Sequence, residues 1–412
     1  MYKTVGITAE YDPFHKGHEY QMREAVRMIK AGEPRPLSSG FGESESEGAE
    51  EPVVIVCMSG DFTQRGEPAL LDKWTRSEMA LESGADLVVE MPTVFAVNNS
   101  RYFAEGGVEI LEALGADYIS FGSETADLER LRDAASRRDR MDENDESRIR
   151  DLVKKGYSYP RALTEVLGEE DIVPGPNDNL AIEYLRHMTK AEPLLIERKG
   201  PGYGSEGRIE GLASASYIRR LLLTGRDVKD LVPVKSLLLI RKFQKECGFC
   251  TKDLFWPILQ AKIASADETD LNRIYGAEEG LGSKMKEEFR YCASYDELID
   301  SLKSKRYTRT RIQRVILDTL LDIKTGNVRN AKNYIRILAL NDRGAAHLKL
   351  IKKQGCPLPI VTNINKSIKE YPELEESLLL DVLAVDLYNT ALKRDLYLNS
   401  EYVKKPLKYE GK

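Results

Sequence analysis

Two of the four histidines of this 412-residue chain, His15 and His18, lie in one short segment, GITAEYDPFHKGHEY (6–20). A strand ending near Tyr11 and a helix beginning near His18 would aim free backbone N–H groups and the positive end of a helix dipole at one sheet edge. Imidazoles in that turn can donate hydrogen bonds to phosphate oxygens that gain charge as an α–β phosphate bridge breaks. Gly17 would let the backbone come close to a nucleotide. Helix capping or metal binding accounts for an H-x-x-H pair equally well. A second constellation, LASASYIRRLL (212–222), sets Ser214 and Ser216 before a helix that carries Arg219 and Arg220. Hydroxyls at a helix start with an arginine one turn in form a second phosphate cradle, or simply an N-cap. Together the two segments favour a nucleotide site.

The elements that must position them read as alternating strands and helices. KTVGITAEY, VVIVCMS (53–59), DLVVEMP, YISFGS and PLLIER (193–198) are short apolar runs, separated by helical patterns at about 18–30, 69–81 and 105–114. That alternation predicts an α/β fold, a doubly wound, Rossmann-like parallel sheet whose ligands bind at the carboxyl ends of the strands. From about residue 224 the strand signal fades and helical patterns dominate. The expected organisation is an ATP-binding, nucleotidyltransferase-like domain over 1–225 and an α-helical C-terminal domain over 226–412. Residues 31–52, AGEPRPLSSGFGESESEGAEEP, are rich in Gly, Pro, Ser and Glu and read as a flexible acidic insertion.

Composition narrows the class. At 42% hydrophobic and 31% charged the chain is a soluble globular protein with no apolar run long enough for a membrane helix. Its N-terminus lacks the pattern of a secretory signal. Five cysteines suit a reducing cytosol, and CGFC (247–250) has no partner motif to complete a zinc site. A net charge of −6 confines any RNA binding to local patches. One such patch is KSKRYTRTRIQR (303–314), six basic residues in twelve with no acid. A second basic stretch is KNYIRILALNDRGAAHLKLIKK (332–353). Ser59, Asp61, Gln64 and Arg65 follow a buried strand and are expected at the cleft edge. Asp72 reads as a solvated helix start, Trp74 as core, and His187 and His347 as helix-surface residues.

The two phosphate cradles resemble those of the H-x-G-H nucleotidyltransferase superfamily, the second being a relaxed form of its I-S-S-T-x-I-R signature. EYDPFHKGHEY, MSGDFTQRGEPALLDKWTRSEMAL, SGADLVVEMP, FGSE, GPNDNLAIEYL, SASYIRRLL and KRYTRTRIQRVILDTLL, in that order, resemble the bacterial tRNA(Met) cytidine acetate ligase family over nearly the whole chain. Members typically read E-Y-N-P-F-H-N-G-H, so Asp12 and Lys16 depart from the pattern. The resemblance implies a cytoplasmic ligase that joins acetate to AMP and acetylates N4 of the wobble cytidine of elongator tRNA(Met). It implies ATP contacts at Thr8, Ala9, Glu10, Tyr11, Asp12, Pro13, Phe14, His15, Lys16, Gly17, His18, Glu19, Tyr20 and Gln21. Further contacts are implied at Gly122, Asn177, Arg198, Lys199, Ser214, Ser216 and Arg219, with His15 and His18 catalytic. Gly122 could also be a plain turn and Asn177 an N-cap. The tRNA would be met by Lys303, Lys305, Arg306, Arg309, Arg311 and Arg314. Mg2+ is expected with ATP, although no carboxylate cluster marks a protein site for it. Two readings remain beside this one: a small-molecule adenylyltransferase of the same superfamily and a non-catalytic RNA-binding protein. Oligomeric state is not legible.

Overall fold

The computed structural model describes residues 2–33, 50–157, 159–168, 175–198, 212–278, 280–304, 307–393 and 399–409. Most of the acidic insertion, Lys199, Lys305 and Arg306 lie outside them. Among the described residues eight strands form one sheet: β1 (Thr4–Ala9), β2 (Val53–Ser59), β3 (Leu87–Met91), β4 (Tyr118–Ser123), β5 (Glu192–Glu197), β6 (Ile335–Asn341), β7 (Ile360–Val361) and β8 (Leu407–Tyr409). Their order is β5-β4-β1-β2-β3-β6-β7, with β8 also on β6, and every pairing is parallel except β3–β6.

The strands form where apolar residues are continuous, because both faces of the sheet are covered. Along β2, Val53, Ile55 and Cys57 enter one apolar layer while Val54, Val56 and Met58 enter the other. The second layer is built with α1 (Lys16–Lys30), α2 (Lys73–Glu82) and the helices Ala215–Leu223 and Val234–Cys247. The first is built with Ser100–Ala113, Pro176–His187 and the C-terminal helices Trp256–Ser265, Arg309–Leu321 and Glu375–Ala391. Helix α2 starts at Lys73 rather than Ala69 because the Asp72 carboxylate caps it, accepting from Thr75 N at 2.8 Å. Trp74 is core, as expected. No helix among the described residues is long and apolar enough to cross a membrane.

The C-terminal half departs from an all-helical reading, since β6, β7 and β8 return to the sheet. The segment NYIRILALN is an apolar run whose one arginine had counted towards a basic surface. Arg336 is in fact 3% exposed and bonds to Glu401 at 3.0 Å. It belongs to a buried charge network in which Lys73 Nζ donates to both oxygens of Glu90 at 2.8 Å and to Glu401 at 2.9 Å. Asp381 completes it, accepting from Thr93 N at 2.8 Å and from the Tyr334 hydroxyl. The sheet therefore draws on residues from both sides of position 225. His347 is likewise interior, 2% exposed, with Nε2 on Leu114 O at 2.7 Å and Nδ1 on the Tyr2 hydroxyl at 3.3 Å.

Candidate active site

Strand β1 lies between β2 and β4, so the chain leaves its carboxyl end at the point where the strand order reverses. There the two histidines serve as a reciprocal cap for α1. His15 Nδ1 accepts from Gly17 N at 3.0 Å, and His18 Nδ1 faces His15 N at 3.3 Å. The rings stack with centroids 3.7 Å apart and planes 24° from parallel. Since both Nδ1 atoms accept from backbone N–H groups, the proton of each neutral ring sits on Nε2. Burial, reinforced by Arg198 and Arg219, lowers the His15 pKa to about 3. Burial, His15 and Arg198 hold His18 well below its ordinary value. Both rings are thus uncharged Nε2–H donors at neutral pH. Capping, the plainer reading of the pair, is what the structure shows, and it leaves each Nε2–H as the ring's donor.

A cleft of about 500 Å³ opens above this turn. Its lining includes Thr8, Ala9, Glu10, Tyr11, Asp12, His15, Gly17, His18, Tyr20 and Gln21 from the first motif. It also includes Gly122, Asn177, Arg198, Ser214, Ser216 and Arg219. Four residues of the expected loop are absent from that lining: Pro13, Phe14, Lys16 and Glu19. Phe14 is fully buried against Tyr11, and Glu19 pairs with Arg23 at 2.7 Å. In the second motif, Ser214 caps its helix by accepting from Tyr217 N at 3.2 Å. Arg219 reaches back to the first motif, donating to Asp12 O at 2.9 Å and pairing with Asp12 Oδ2 at 3.2 Å. The other oxygen of Asp12 accepts from Leu70 N at 2.7 Å. The departure at position 12 thereby ties the two cradles together. Asn177, at the start of its helix, donates to Glu124. Asp178 behind it holds the end of β4 by accepting from Glu124 N at 2.9 Å and Thr125 N at 3.0 Å.

The two glycines make room for protein side chains. A Cβ at Gly17 would lie 2.8 Å from the His15 ring, and one at Gly122 would lie 3.0 Å from the stem of Arg198. Gly17 permits the stack, and Gly122 lets Arg198 cross the end of β4.

Of the cleft-edge residues expected after β2, Gln64 and Arg65 line the cavity, whereas Ser59 and Asp61 are buried beneath it. Under the floor, Arg76 donates to the carbonyls of Leu71 (3.0 Å), Ser59 (3.3 Å), Glu10 and Gly60, so one buried guanidinium gathers the ends of β1 and β2. The motif reading assigned Arg76 no role, and no spacing rule exposes one.

The basic segment 303–314 divides in the structure. Lys303 is exposed, Arg309 is ion-paired with Asp300 at 2.9 Å and with Asp296, and Arg311 lies over the Tyr307 ring at 4.8 Å. Arg314 and Thr310 line the nucleotide-sized cleft itself. Phe103, Phe121, Leu180, Tyr184 and Leu212 add apolar and aromatic wall that motif reading missed, since such residues look like ordinary core in sequence. Among the described residues no group of three or more His, Cys, Asp or Glu could hold a metal.

The HIGH Nucleotidyl Transferase family matches this chain over residues 43–401. A tRNA(Met) cytidine acetate ligase of Acetivibrio thermocellus is 32% identical, the match covering 96% of each chain. One from Bacillus licheniformis is 32% identical across 99% of this chain and 98% of its own. Among solved structures, Thermotoga maritima TmcAL bound with alpha-thio ATP superimposes with a TM-score of 0.85 at 27% identity, covering 99% of this chain and 100% of that one. Its apo form gives 0.88 at 28% identity.

Proposed function

Since the chain belongs to the HIGH nucleotidyl transferase family and, within it, to the tRNA(Met) cytidine acetate ligases, we propose that it activates acetate with ATP and acetylates N4 of the wobble cytidine of elongator tRNA(Met). An acetate oxygen attacks the α-phosphorus, the α–β bridging P–O bond breaks, and pyrophosphate leaves with the electron pair. The amine of the cytidine then attacks the acetyl carbon, and AMP leaves. The observation that carries this reading is the stacked pair of neutral imidazoles, both with Nε2–H free to donate, at the carboxyl end of β1.

His15 and His18 stabilise the charge that grows on the departing pyrophosphate. Arg198 and Arg219 neutralise the triphosphate, and Ser216 with the N-terminus of its helix adds hydrogen bonds. Asn177, Gly122 and the apolar wall bound the adenosine side, and Lys199 adds a further cation. Magnesium arriving with ATP would neutralise part of the phosphate charge beside Arg198 and Arg219. Acetate is a poor acyl donor, so the enzyme's contribution is positioning and charge stabilisation. The segment 226–412 serves tRNA binding. Lys303, Arg309, Arg311 and Arg314 would meet its phosphates at and before the start of helix Arg309–Leu321, where Arg314 lines the cleft, and Lys305 and Arg306 belong to the same basic segment of the sequence. The ATP-binding unit corresponds to 1–225 completed by β6–β8. The setting is the cytoplasm, where tRNA, ATP and acetate meet.

The deciding experiment is a nucleoside mass analysis after incubating the protein with ATP, acetate and tRNA(Met). The expected product is N4-acetylcytidine with one AMP and one pyrophosphate per acetyl group. Unmodified cytidine alongside acetate-independent ATP use would favour a small-molecule adenylyltransferase.

A further inference from the structure

The acetyl-transfer step needs a proton acceptor. The exocyclic amine of cytosine is a weak nucleophile because its lone pair is delocalised into the ring, and the nitrogen must lose a proton as it bonds to the acyl carbon. The cleft contains few groups able to take one. His15 and His18 cannot, since each commits Nδ1 to a backbone N–H and carries its proton on Nε2. Asp12 is occupied by Leu70 N and Arg219. Tyr184 shares a hydrogen bond with Thr8. Glu197 ends β5, at the far edge of the sheet, two strands from β1.

Glu10 is different. It follows β1 directly and lines the cleft. Its Oε1 accepts from Gln64 N at 2.7 Å, while Oε2 accepts no hydrogen bond from any described residue. Gln64 belongs to the loop after β2, and that loop is seated on helix Arg309–Leu321. Gly66 packs so closely there that a Cβ on it would lie 2.5 Å from Arg314 N. A continuous path therefore joins Glu10, through Gln64 and Gly66, to Arg314 and Thr310, which line the same cleft. The nucleotide crevice of such a sheet lies at the β1–β4 reversal, and Glu10 opens instead towards the β2 loop and the helix of the basic segment.

We propose that Glu10 is the general base of the acetyl-transfer step and that Glu10, Gln64, Arg65, Thr310 and Arg314 frame the subsite for the acceptor base. This rests on the ligase reading above. As the amine nitrogen bonds to the acetyl carbon, one N–H proton passes to Glu10 Oε2. The carbon–oxygen bond to the phosphate breaks, and AMP leaves with the electron pair. Glu10 then returns the proton to solvent. Burial raises the Glu10 pKa, opposed by Arg65, the Gln64 N–H and Arg219 and reinforced by Asp12. The Tyr184 phenol also faces it. A raised value brings the carboxylate closer to the basicity that proton transfer requires.

Glu10→Gln keeps an oxygen for the Gln64 N–H and removes the base. Two rates are compared: acetate-dependent ATP–pyrophosphate exchange, and single-turnover transfer from preformed acetyl-adenylate to tRNA(Met). Transfer should fall about 10²- to 10³-fold, well beyond any loss in exchange that follows from the place of Glu10 in the cleft wall, and the urea midpoint reports that the variant is folded. In the wild type, transfer should lose rate on acidification through the Glu10 titration, and that limb should vanish in E10Q. Equal losses in both rates, or transfer at the wild-type rate, would overturn the assignment. If E10Q does not fold, the wild-type profiles decide, because an acid limb shared by exchange and transfer also overturns it. Absence of acetate-dependent exchange in the wild type would remove the ligase reading itself, a result separable from the others.

Discussion

Two regions of this molecule concentrate charge, and they are built in opposite ways. In the network of Lys73, Glu90, Arg336, Asp381 and Glu401, both cations meet carboxylates and every side chain is at most 4% exposed. In the cleft, Arg198 makes no ion pair among the described residues, and two histidines are held uncharged beside it. The first sets two cations against three carboxylates, with the Glu90 pKa pushed up to about 8 by burial, and it holds the sheet together. The second is short of negative charge, and a triphosphate would supply it. Charges that find partners in the interior are structural, whereas an arginine left unpaired in a cavity is open to an anionic ligand.

The sharpest way to break this contrast is in the cleft. Replacing both histidines by alanine should lower acetate-dependent pyrophosphate exchange by about 10⁴-fold, since one oxyanion donor contributes about 10² to 10³. Urea denaturation of that variant separates lost chemistry from lost folding. In the network, Lys73→Met leaves carboxylates buried without their cation and should cost about 3 to 5 kcal/mol of stability. Its KM for ATP, measured on the folded fraction, should be unchanged. Arg198→Ala should raise that KM by roughly ten- to a hundredfold, as expected for a charged hydrogen bond of about 1.5 to 3 kcal/mol. Urea midpoints should hardly move. Asp12→Asn keeps an acceptor for Leu70 N and loses the ion pair to Arg219, so its effect on KM should be about fivefold or less, as for a partly exposed pair of about 1 kcal/mol.

The smallest effect is one of pH. His15 and His18 stay neutral in the fold and become protonated on unfolding below their ordinary value. The stability they contribute is present above about pH 6.5 and is lost as pH falls below it, for His15 towards about 3. A variant with Asn at both positions should show a flatter decline in urea midpoint between pH 7 and 5.5.

Much of this was legible in the sequence, because apolar continuity and turn chemistry are local properties. The five parallel strands β1–β5, the helix behind the histidines and the two motifs that line the cleft follow from residues close together in the chain. What local reading cannot supply is the partner of a charge. Arg336 counted as one cation of a basic stretch until Glu401, sixty-five positions on, turned out to receive it inside the sheet. Asp12 read only as a departure from the family pattern, and its partner Arg219 lies 207 positions on, across the turn. Gly17 was read as a place for a nucleotide to approach and Gly122 as a nucleotide contact, and in the structure the groups beside them are His15 and Arg198. Arg314 was grouped with an RNA-tracking surface because helical spacing says nothing about which cavity a helix end meets.

The pairing of Lys73 with Glu401 also bears on how the protein is made. These residues are 328 positions apart, and β8, which follows Glu401, pairs with the same β6 that carries Arg336. While the ribosome is still adding the last part of the sheet, the ammonium of Lys73 and the carboxylate of Glu90 have already emerged into a half-built interior. The nucleotide cleft, which depends on helix Arg309–Leu321 for one wall, stays incomplete over the same interval. Newly made chains should therefore depend on chaperone holding until β8 has emerged, and fragments that stop before helix Arg309–Leu321 should be poor ATP binders.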